Sequence, residues 1–378
     1  MKLPVLAAVV AVLALLVAWL QREHARGTFD PVERGFVSWL AANAGGGPPL
    51  PPLTVVLFDD ESSELAGSGR LALLDGALFT RAASRLGATA AGVEGIVGDP
   101  LRMLDAAEGM PVFGGYDWQS PPGQGWTPLR GEPGTDWPEV PGLAGRGGRF
   151  ARGFVAPPEG ASGARRILLA GRNGDRAVPS FLALAWAAAQ GSHWSEVSVA
   201  PEAITARKGK LSLAADGAAQ FIPDSAPAVL TMNELLVASE KFEREGGASP
   251  FRDHIMVLAR ATADVARVAV GETGAVTPVE RWASAWEAVR TNRLFVLPGW
   301  WYPVLLVLAG TVLTLGPARR SSAAALMAGL FAVLLFALAA LGAFGTSRLL
   351  LPAAPALLTL GTALVLGRAG HRAGWFGK

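Results

Sequence analysis

Four carboxylates close to two predicted strands are the residues best placed to bind a ligand. Asp59, Asp60 and Glu61 directly follow an apolar run at residues 53–58, and Glu94 follows the apolar part of the next strand. Open α/β folds bind ligands at the carboxyl edge of the sheet, so we expect these side chains to converge there. Carboxylate oxygens suit a cation or a basic ligand. The alternative is a helix cap with solvated turn acids, since clustered acids also occur without a site.

No other pattern of reactive side chains points to catalysis or to a metal. The chain has no cysteine, which excludes a thiol nucleophile, a thiolate metal site and a disulfide. An esterase elbow and a phosphate-binding loop are also missing. The four histidines are scattered without metal-binding spacing: His24, His193, His254 and His371. We therefore expect no enzyme, no cofactor and no metal.

Alternating strands and helices are predicted to position the acidic cluster. The order is strand, helix, strand, helix, strand: residues 53–58, 74–86, 90–97, 101–107 and 111–115. Continuous apolar runs of strand length are typical of strands buried on both faces. The pattern predicts an α/β outer domain with a mostly parallel sheet flanked by helices.

Further elements follow later in the same domain. A strand is predicted at residues 254–259, a helix at 179–190, and a capping box begins a helix at Thr231. The Asp216-Gly217 pair predicts a hairpin between residues 210–213 and 219–222.

A Gly-, Pro- and Trp-rich insertion at residues 116–163 has no hydrophobic periodicity. A loop of this length in a compact domain is typically functional or mobile. Its three tryptophans form either a partner surface or a cluster packed back onto the domain: Trp118, Trp126 and Trp137.

Long apolar segments predict four membrane spans. Residues 3–20 run without a charge and would reach about 27 Å as a helix, close to the bilayer's hydrocarbon thickness. Three more apolar runs cover residues 300–316, 323–345 and 349–367, none with a polar stripe. The predicted organisation is one span at residues 1–20, the outer domain at 21–298, three spans at 299–367 and a tail at 368–378.

A cleaved signal peptide is the alternative for the first apolar segment. We favour an uncleaved anchor, because only Met1 and Lys2 precede the apolar stretch and the stretch is longer than the apolar h-region of a usual signal peptide. No small-residue cleavage site follows it.

The distribution of charge predicts the orientation. Residues 22–297 hold 26 basic and all 31 acidic side chains, a net charge of −5, and the 7 remaining basic residues lie beside the spans. Basic residues favour the cytoplasmic side. This predicts a multi-pass protein of a bacterial inner membrane with both termini cytoplasmic and a periplasmic outer domain. Four aromatic residues would form an interfacial belt: Trp19, Trp300, Trp301 and Tyr302.

A predicted helix from Thr277 carries Trp282 and Trp286 on one stripe and leads through residues 292–295 into the second span. This helix would transmit a change in the outer domain to the membrane. The alternative is that the two tryptophans only pack in the core.

The chain resembles the type-2 CHASE family of extracytoplasmic sensor domains in its order of motifs. The matching stretches are residues 55–62, 86–93, 177–185 and 251–259, followed by Thr277-Pro278. The resemblance implies a sensor domain between one N-terminal span and about three later spans. The sequence departs from the family at Ala259 and at residues 280–285, and it ends about 11 residues after the last predicted span.

Two functions are compatible with these features. The first is a membrane-anchored sensor or receptor subunit that acts through a separate partner, having no output domain of its own. The second is a structural scaffold or docking subunit of an envelope complex. The expected partners are the lipid bilayer and a protein in the membrane or periplasm, with a second copy of the chain as a further candidate. A nucleic-acid partner is not expected, because the outer domain is acidic.

Overall fold

A computed structural model describes the chain at residues 3–45, 49–58, 73–94, 100–117, 150–155, 165–173, 176–192, 194–200, 202–214, 217–222, 228–260, 268–269, 275–276, 283, 285–316 and 322–373. The chain forms two compact units. The α/β unit comprises Pro48–Ala161 and Arg165–Leu294, and the helical unit comprises Met1–Gly47, Ser162–Ala164 and Phe295–Lys378.

The described elements are as follows. The strands are β1 (Leu53–Phe58), β2 (Ala90–Glu94), β3 (Val112–Asp117), β4 (Phe150–Val155), β5 (Arg165–Leu168), β6 (Ala170–Asn173), β7 (Arg176–Pro179), β8 (Ser198–Ala200), β9 (Ala203–Ala206), β10 (Gly209–Ser212), β11 (Ala218–Phe221), β12 (Ala228–Thr231), β13 (Ile255–Arg260), β14 (Val268–Ala269) and β15 (Ala275–Val276). The helices are α1 (Leu3–Ala25), α2 (Asp30–Asn43), α3 (Leu73–Arg85), α4 (Pro100–Ala106), α5 (Phe181–Ala189), α6 (Met232–Glu245), α7 (Trp286–Arg290), α8 (Trp301–Leu315), α9 (Ser322–Ser347) and α10 (Ala353–Arg372).

Six strands of the α/β unit form one sheet in the order β12-β1-β13-β2-β3-β4. Every pair of neighbouring strands in it is parallel. The predicted α/β fold with a parallel sheet and flanking helices is confirmed. The capping box is also confirmed, because Thr231 and Glu234 each bond to the backbone amide of the other.

Helices cover the sheet on both faces, as the continuous apolar strands require. On one face Val56 and Met256 pack with Phe79 of α3 and Leu235 of α6. On the other face the neighbouring residues Val55 and Val257 pack with α5, which is buried along its first eight residues. The period-two alternation along β1 and β13 therefore divides two separate cores.

Glycines on the sheet allow α5 to approach it closely. A Cβ at Gly92 would lie 2.6 Å from the Phe113 ring, and one at Gly153 would lie 2.8–2.9 Å from backbone atoms of residues 179–181. Ser180 caps α5 by accepting the amide of Ala183 at 3.1 Å. The start of α5 thus rests directly on the backbone of β4.

The predicted hairpin between residues 210–213 and 219–222 is wrong. β10 pairs antiparallel with β9, and β11 pairs antiparallel with β5. The β9–β10 connection has only two residues between the paired Ala206 and Gly209, a loop length that favours hairpins. Gly217 does adopt a turn, at a φ of 80°, but the strands on its two sides enter different sheets.

In the part of the chain that the structure describes, three helices of the helical unit are long and apolar enough to span a membrane, at Pro4–Ala25, Ser322–Ser347 and Ala353–Arg372. This indicates a membrane protein. α8 has 15 residues and reaches about 22 Å, less than the roughly 30 Å hydrocarbon core. The fourth crossing therefore stays a prediction. Large apolar side chains along α9 are exposed, including Leu330, Leu334 and Leu338, as lipid contact requires.

The core of the helical unit lies between α1, α8 and α10. One stripe of α1 is buried at helical spacing and includes Val9, Leu13 and Val17. Leu13 approaches Gly310 of α8, where a Cβ would lie 3.2 Å from its Cδ1 atom. Thr314 of α8 donates to the carbonyl oxygen of Ala363 in α10 at 3.1 Å.

The helical unit includes α2, although we expected the outer domain to begin at residue 21. α1 continues to Ala25, and α2 buries Val37 and Leu40. The Phe36 ring stacks on Phe336 of α9 with centroids 5.9 Å apart. The apolar face of α2 accounts for this difference, because an apolar helix face must pack against another element to be buried.

Replacing Gly153 by alanine should destabilise the α/β unit by about 1–3 kcal/mol, because the new methyl group meets backbone that cannot rotate away. Gly35→Ala is the control, since nothing lies within 4 Å of a Cβ at this position in α2. Denaturant unfolding followed by hydrogen exchange in β3 and β4 measures the effect. Equal stability of the two variants would contradict the proposed packing of α5.

Candidate functional site

The carboxyl edge of the sheet holds only part of the predicted acidic cluster among the described residues. Glu94 ends β2, and its register partner in β3 is Gly115. Asp59, Asp60 and Glu61 lie outside the described residues. β1 ends at Phe58, at the same edge as Glu94.

β13 lies between β1 and β2, which the sequence did not indicate. Two strand spacings place the ends of β1 and β2 about 10 Å apart. Among the described residues, no group of three acidic, histidine or cysteine side chains is arranged to hold a metal. The ligand site at this edge stays a prediction.

A second candidate site lies where the chain enters and leaves the α/β unit. We call Leu50, Pro51, Trp286, Glu287 and Arg290 the junction. The amide of Leu50 donates to the carbonyl oxygen of Arg290 at 3.1 Å. The Trp286 indole Nε1–H donates to the carbonyl oxygen of Pro51 at 3.0 Å. These two hydrogen bonds connect the entering and leaving segments.

Trp286 is both a core residue and a connecting residue. Its side chain is 2% exposed and belongs to the same apolar core as α5. Trp282, its predicted companion, lies outside the described residues. Trp286 therefore packs in the core, and its hydrogen bond to Pro51 adds a directional contact, while its signal-coupling role stays a prediction.

Glu287 and two arginines form a charged network on the leaving segment. Arg290 binds Glu287 through two hydrogen bonds of 2.8 Å. Donation of hydrogen bonds to Glu287 raises the pKa of Arg290 above its ordinary value, although burial opposes this. Arg293 lies 3.8 Å from the same carboxylate and donates to the Thr291 hydroxyl at 2.7 Å. A bidentate pair of this kind fixes side-chain geometry.

The leaving segment is not one continuous helix into the next span, which corrects our expectation. α7 ends at Arg290, and Asn292 adopts a φ of 57°. The amide of Arg293 donates to the carbonyl oxygen of Ala288 at 2.7 Å. This is a Schellman-type helix end, with asparagine in the left-handed position and Pro298 shortly after it.

In the helical unit, the segment from Phe295 is held by the loop between α9 and α10. The amide of Val296 donates to the carbonyl oxygen of Arg348, and the amide of Leu350 donates to that of Val296, each at 2.9 Å. We call this pair of hydrogen bonds the tie. Phe295 and Leu350 are buried beside it.

The remaining predicted site residues are the tryptophans of the insertion and the aromatic residues of the interfacial belt. Trp118, Trp126 and Trp137 lie outside the described residues. Three of the four predicted belt residues are exposed, Trp19 at 55%, Trp300 at 82% and Trp301 at 38%. Tyr302 is buried instead, and its hydroxyl donates to the carbonyl oxygen of Pro352 at 2.7 Å. Tyr302 lies in the first turn of α8, on the side that faces the start of α10.

Sequence reasoning missed most of the junction. The Trp286–Pro51 bond joins residues 235 positions apart, and no local pattern reveals such a pair. The one available signal was Glu287 three residues before Arg290, the spacing of a helical ion pair.

Comparison of the chain with protein-family models, with curated proteins and with solved structures found no match in any of the three. The resemblance to type-2 CHASE domains therefore stays a prediction.

Trp286→Phe should destabilise the α/β unit by about 1–2 kcal/mol more than Trp194→Phe does, because it leaves the Pro51 carbonyl oxygen without its donor. Trp194 is a matched control: it is 4% exposed in the same core, and its Nε1 has no hydrogen-bond partner among the described residues. Denaturant unfolding of both variants measures the difference. An equal loss would mean that only ring volume matters at Trp286.

Proposed function

We propose that the protein is a membrane-anchored, receptor-like subunit whose α/β unit acts on a partner protein through the membrane helices. The observation that carries this proposal is the junction. The entering and leaving segments of the α/β unit are hydrogen-bonded to each other, so a rearrangement that moves one also moves the other.

The path from the junction to the membrane is short. Four residues separate Arg290 from Phe295, where the chain returns to the helical unit. The tie then connects Val296 to the loop before α10, a helix long enough to span a membrane. In this proposal, a displacement at Arg290 is passed along the chain through Phe295 and the tie to the start of α10.

The same proposal places the α/β unit on the outer side of a bacterial inner membrane, with both termini cytoplasmic. Its support is the charge distribution, since acidic residues are confined to residues 22–297. The ligand is proposed to bind at the carboxyl edge of the sheet, near Glu94. The sensor assignment rests on the family resemblance and on this edge together.

Purification from native membranes with chemical crosslinking and mass spectrometry tests the proposal. We expect a stable partner with kinase, cyclase or regulatory domains, crosslinked to the helical unit. Trp286→Phe should weaken this association or its signal, and Trp194→Phe should not. A stoichiometric multi-subunit envelope complex with no signalling protein would favour the scaffold function instead.

A further inference from the structure

Glu33 is a fully buried carboxylate that caps a helix other than its own. It lies in the first turn of α2 and is 0% exposed. Its Oε1 accepts the amide of Ala354 at 2.9 Å, and its Oε2 accepts the amide of Ala353 at 3.2 Å. These amides begin α10, where Pro352 provides no side-chain cap. The start of α10 therefore depends on α2 for its hydrogen bonds.

A second buried group holds the same segment. The Tyr302 hydroxyl donates to the carbonyl oxygen of Pro352 at 2.7 Å. Residues 352–354 are thus bound on one side by α8 and on the other by Glu33. The stacking of Phe36 on Phe336 fixes α2 one helical turn further along. Glu33 consequently adds polar contacts to the apolar packing of α2.

Ionisation of Glu33 opposes this attachment. Burying an ionised carboxylate is costly unless its partners compensate for lost water. Burial raises the pKa of Glu33 above its ordinary value of 4.5, the two amide hydrogen bonds lower it, and the charge of Asp30 raises it. The net direction is upward. The protonated carboxyl is therefore the form that the attached arrangement favours.

Few other charges surround the group. Asp30 and Arg34 lie on α2 itself, and Tyr302 faces Glu33 from α8. α9 contains no charged residue, and the charged residues of α10 lie near its far end, from Arg368 onward. Near the end of α1, Glu23 is paired with Arg26 in the turn that follows. The loop before α10 contributes Arg348, whose guanidinium lies over the Phe344 ring.

We propose that Glu33 is a proton-binding site that controls how firmly α2 is attached to the start of α10. The proton binds a carboxylate oxygen, which removes the buried charge, and the other oxygen remains an acceptor for a backbone amide. Release of α2 exposes Glu33 to water, where the carboxylate ionises at its ordinary pKa. This site concerns the helical unit alone and does not depend on the receptor-like function.

The sign of the pH dependence follows from linkage. Because the attached state has the higher pKa, its stabilisation is fully present below about pH 4.5. It is lost as the pH rises through the pKa of attached Glu33. As the pH rises, the ratio of attached to released α2 should fall. The total fall is up to about tenfold for each unit by which the pKa of attached Glu33 exceeds that of released Glu33.

Spin labels on a cysteine pair can measure this ratio, because the chain has no cysteine of its own. Gly35→Cys on α2 and Leu358→Cys on α10 are suitable positions, since a Cβ at Gly35 meets nothing and Leu358 is 46% exposed. The full chain in lipid nanodiscs should show a narrow distance distribution at about pH 5. A longer-distance population should grow toward about pH 8.

Glu33→Gln should make the distribution independent of pH, whereas Glu23→Gln should leave the response intact. A response that persists in Glu33→Gln, or that is lost in Glu23→Gln, would overturn the proposal. If Glu33→Gln does not fold, the pH response of the protein with native Glu33 still decides the question. An unchanged distribution from about pH 8 to about pH 5, or a midpoint below about pH 4.5, would also overturn it.

Discussion

The structure depends on the hydrogen bonds that join the two ends of the α/β unit. Leu50 donates to the carbonyl oxygen of Arg290, and Trp286 donates to that of Pro51. These contacts close the unit where its chain arrives and departs. They also position β1, which begins at Leu53, beside β13, since the amide of Ile255 donates to the carbonyl oxygen of Pro52 at 2.9 Å. The Trp286–Pro51 hydrogen bond is part-buried, so losing it costs stability, and this gives the junction a defined geometry.

Much of the α/β unit could be predicted from sequence because its strands are continuous apolar runs and its helices carry readable caps. β1 coincides with the predicted residues 53–58, and the Thr231 capping box begins α6. Strand order could not be predicted, because parallel strands pair through crossovers and β13 enters between β1 and β2. The glycines under α5 also gave no signal, since their role appears only when Gly153 meets residues 179–181.

The candidate sites also combine residues that the sequence indicates with distant partners that it does not. The acidic residues after β1 were predicted from their position beside a strand and Trp286 from its helical stripe, and the roles assigned to both stay predictions. The partners Pro51 and Ala354 escaped, because each lies more than 200 residues from the side chain that binds it. α2 illustrates the consequence. Its apolar face was readable, but the destination of that face on α9 and α10 required the structure.

We propose that the junction communicates with the start of α10 through the leaving segment. Hydrogen exchange at the amides of Val296 and Leu350, the donors of the tie, measures this most directly in the full chain. Trp286→Phe should accelerate exchange at both amides, whereas Trp194→Phe, in the same core, should leave both rates unchanged. If each amide exchanged at the same rate in Trp286→Phe as in Trp194→Phe, the result would contradict the account.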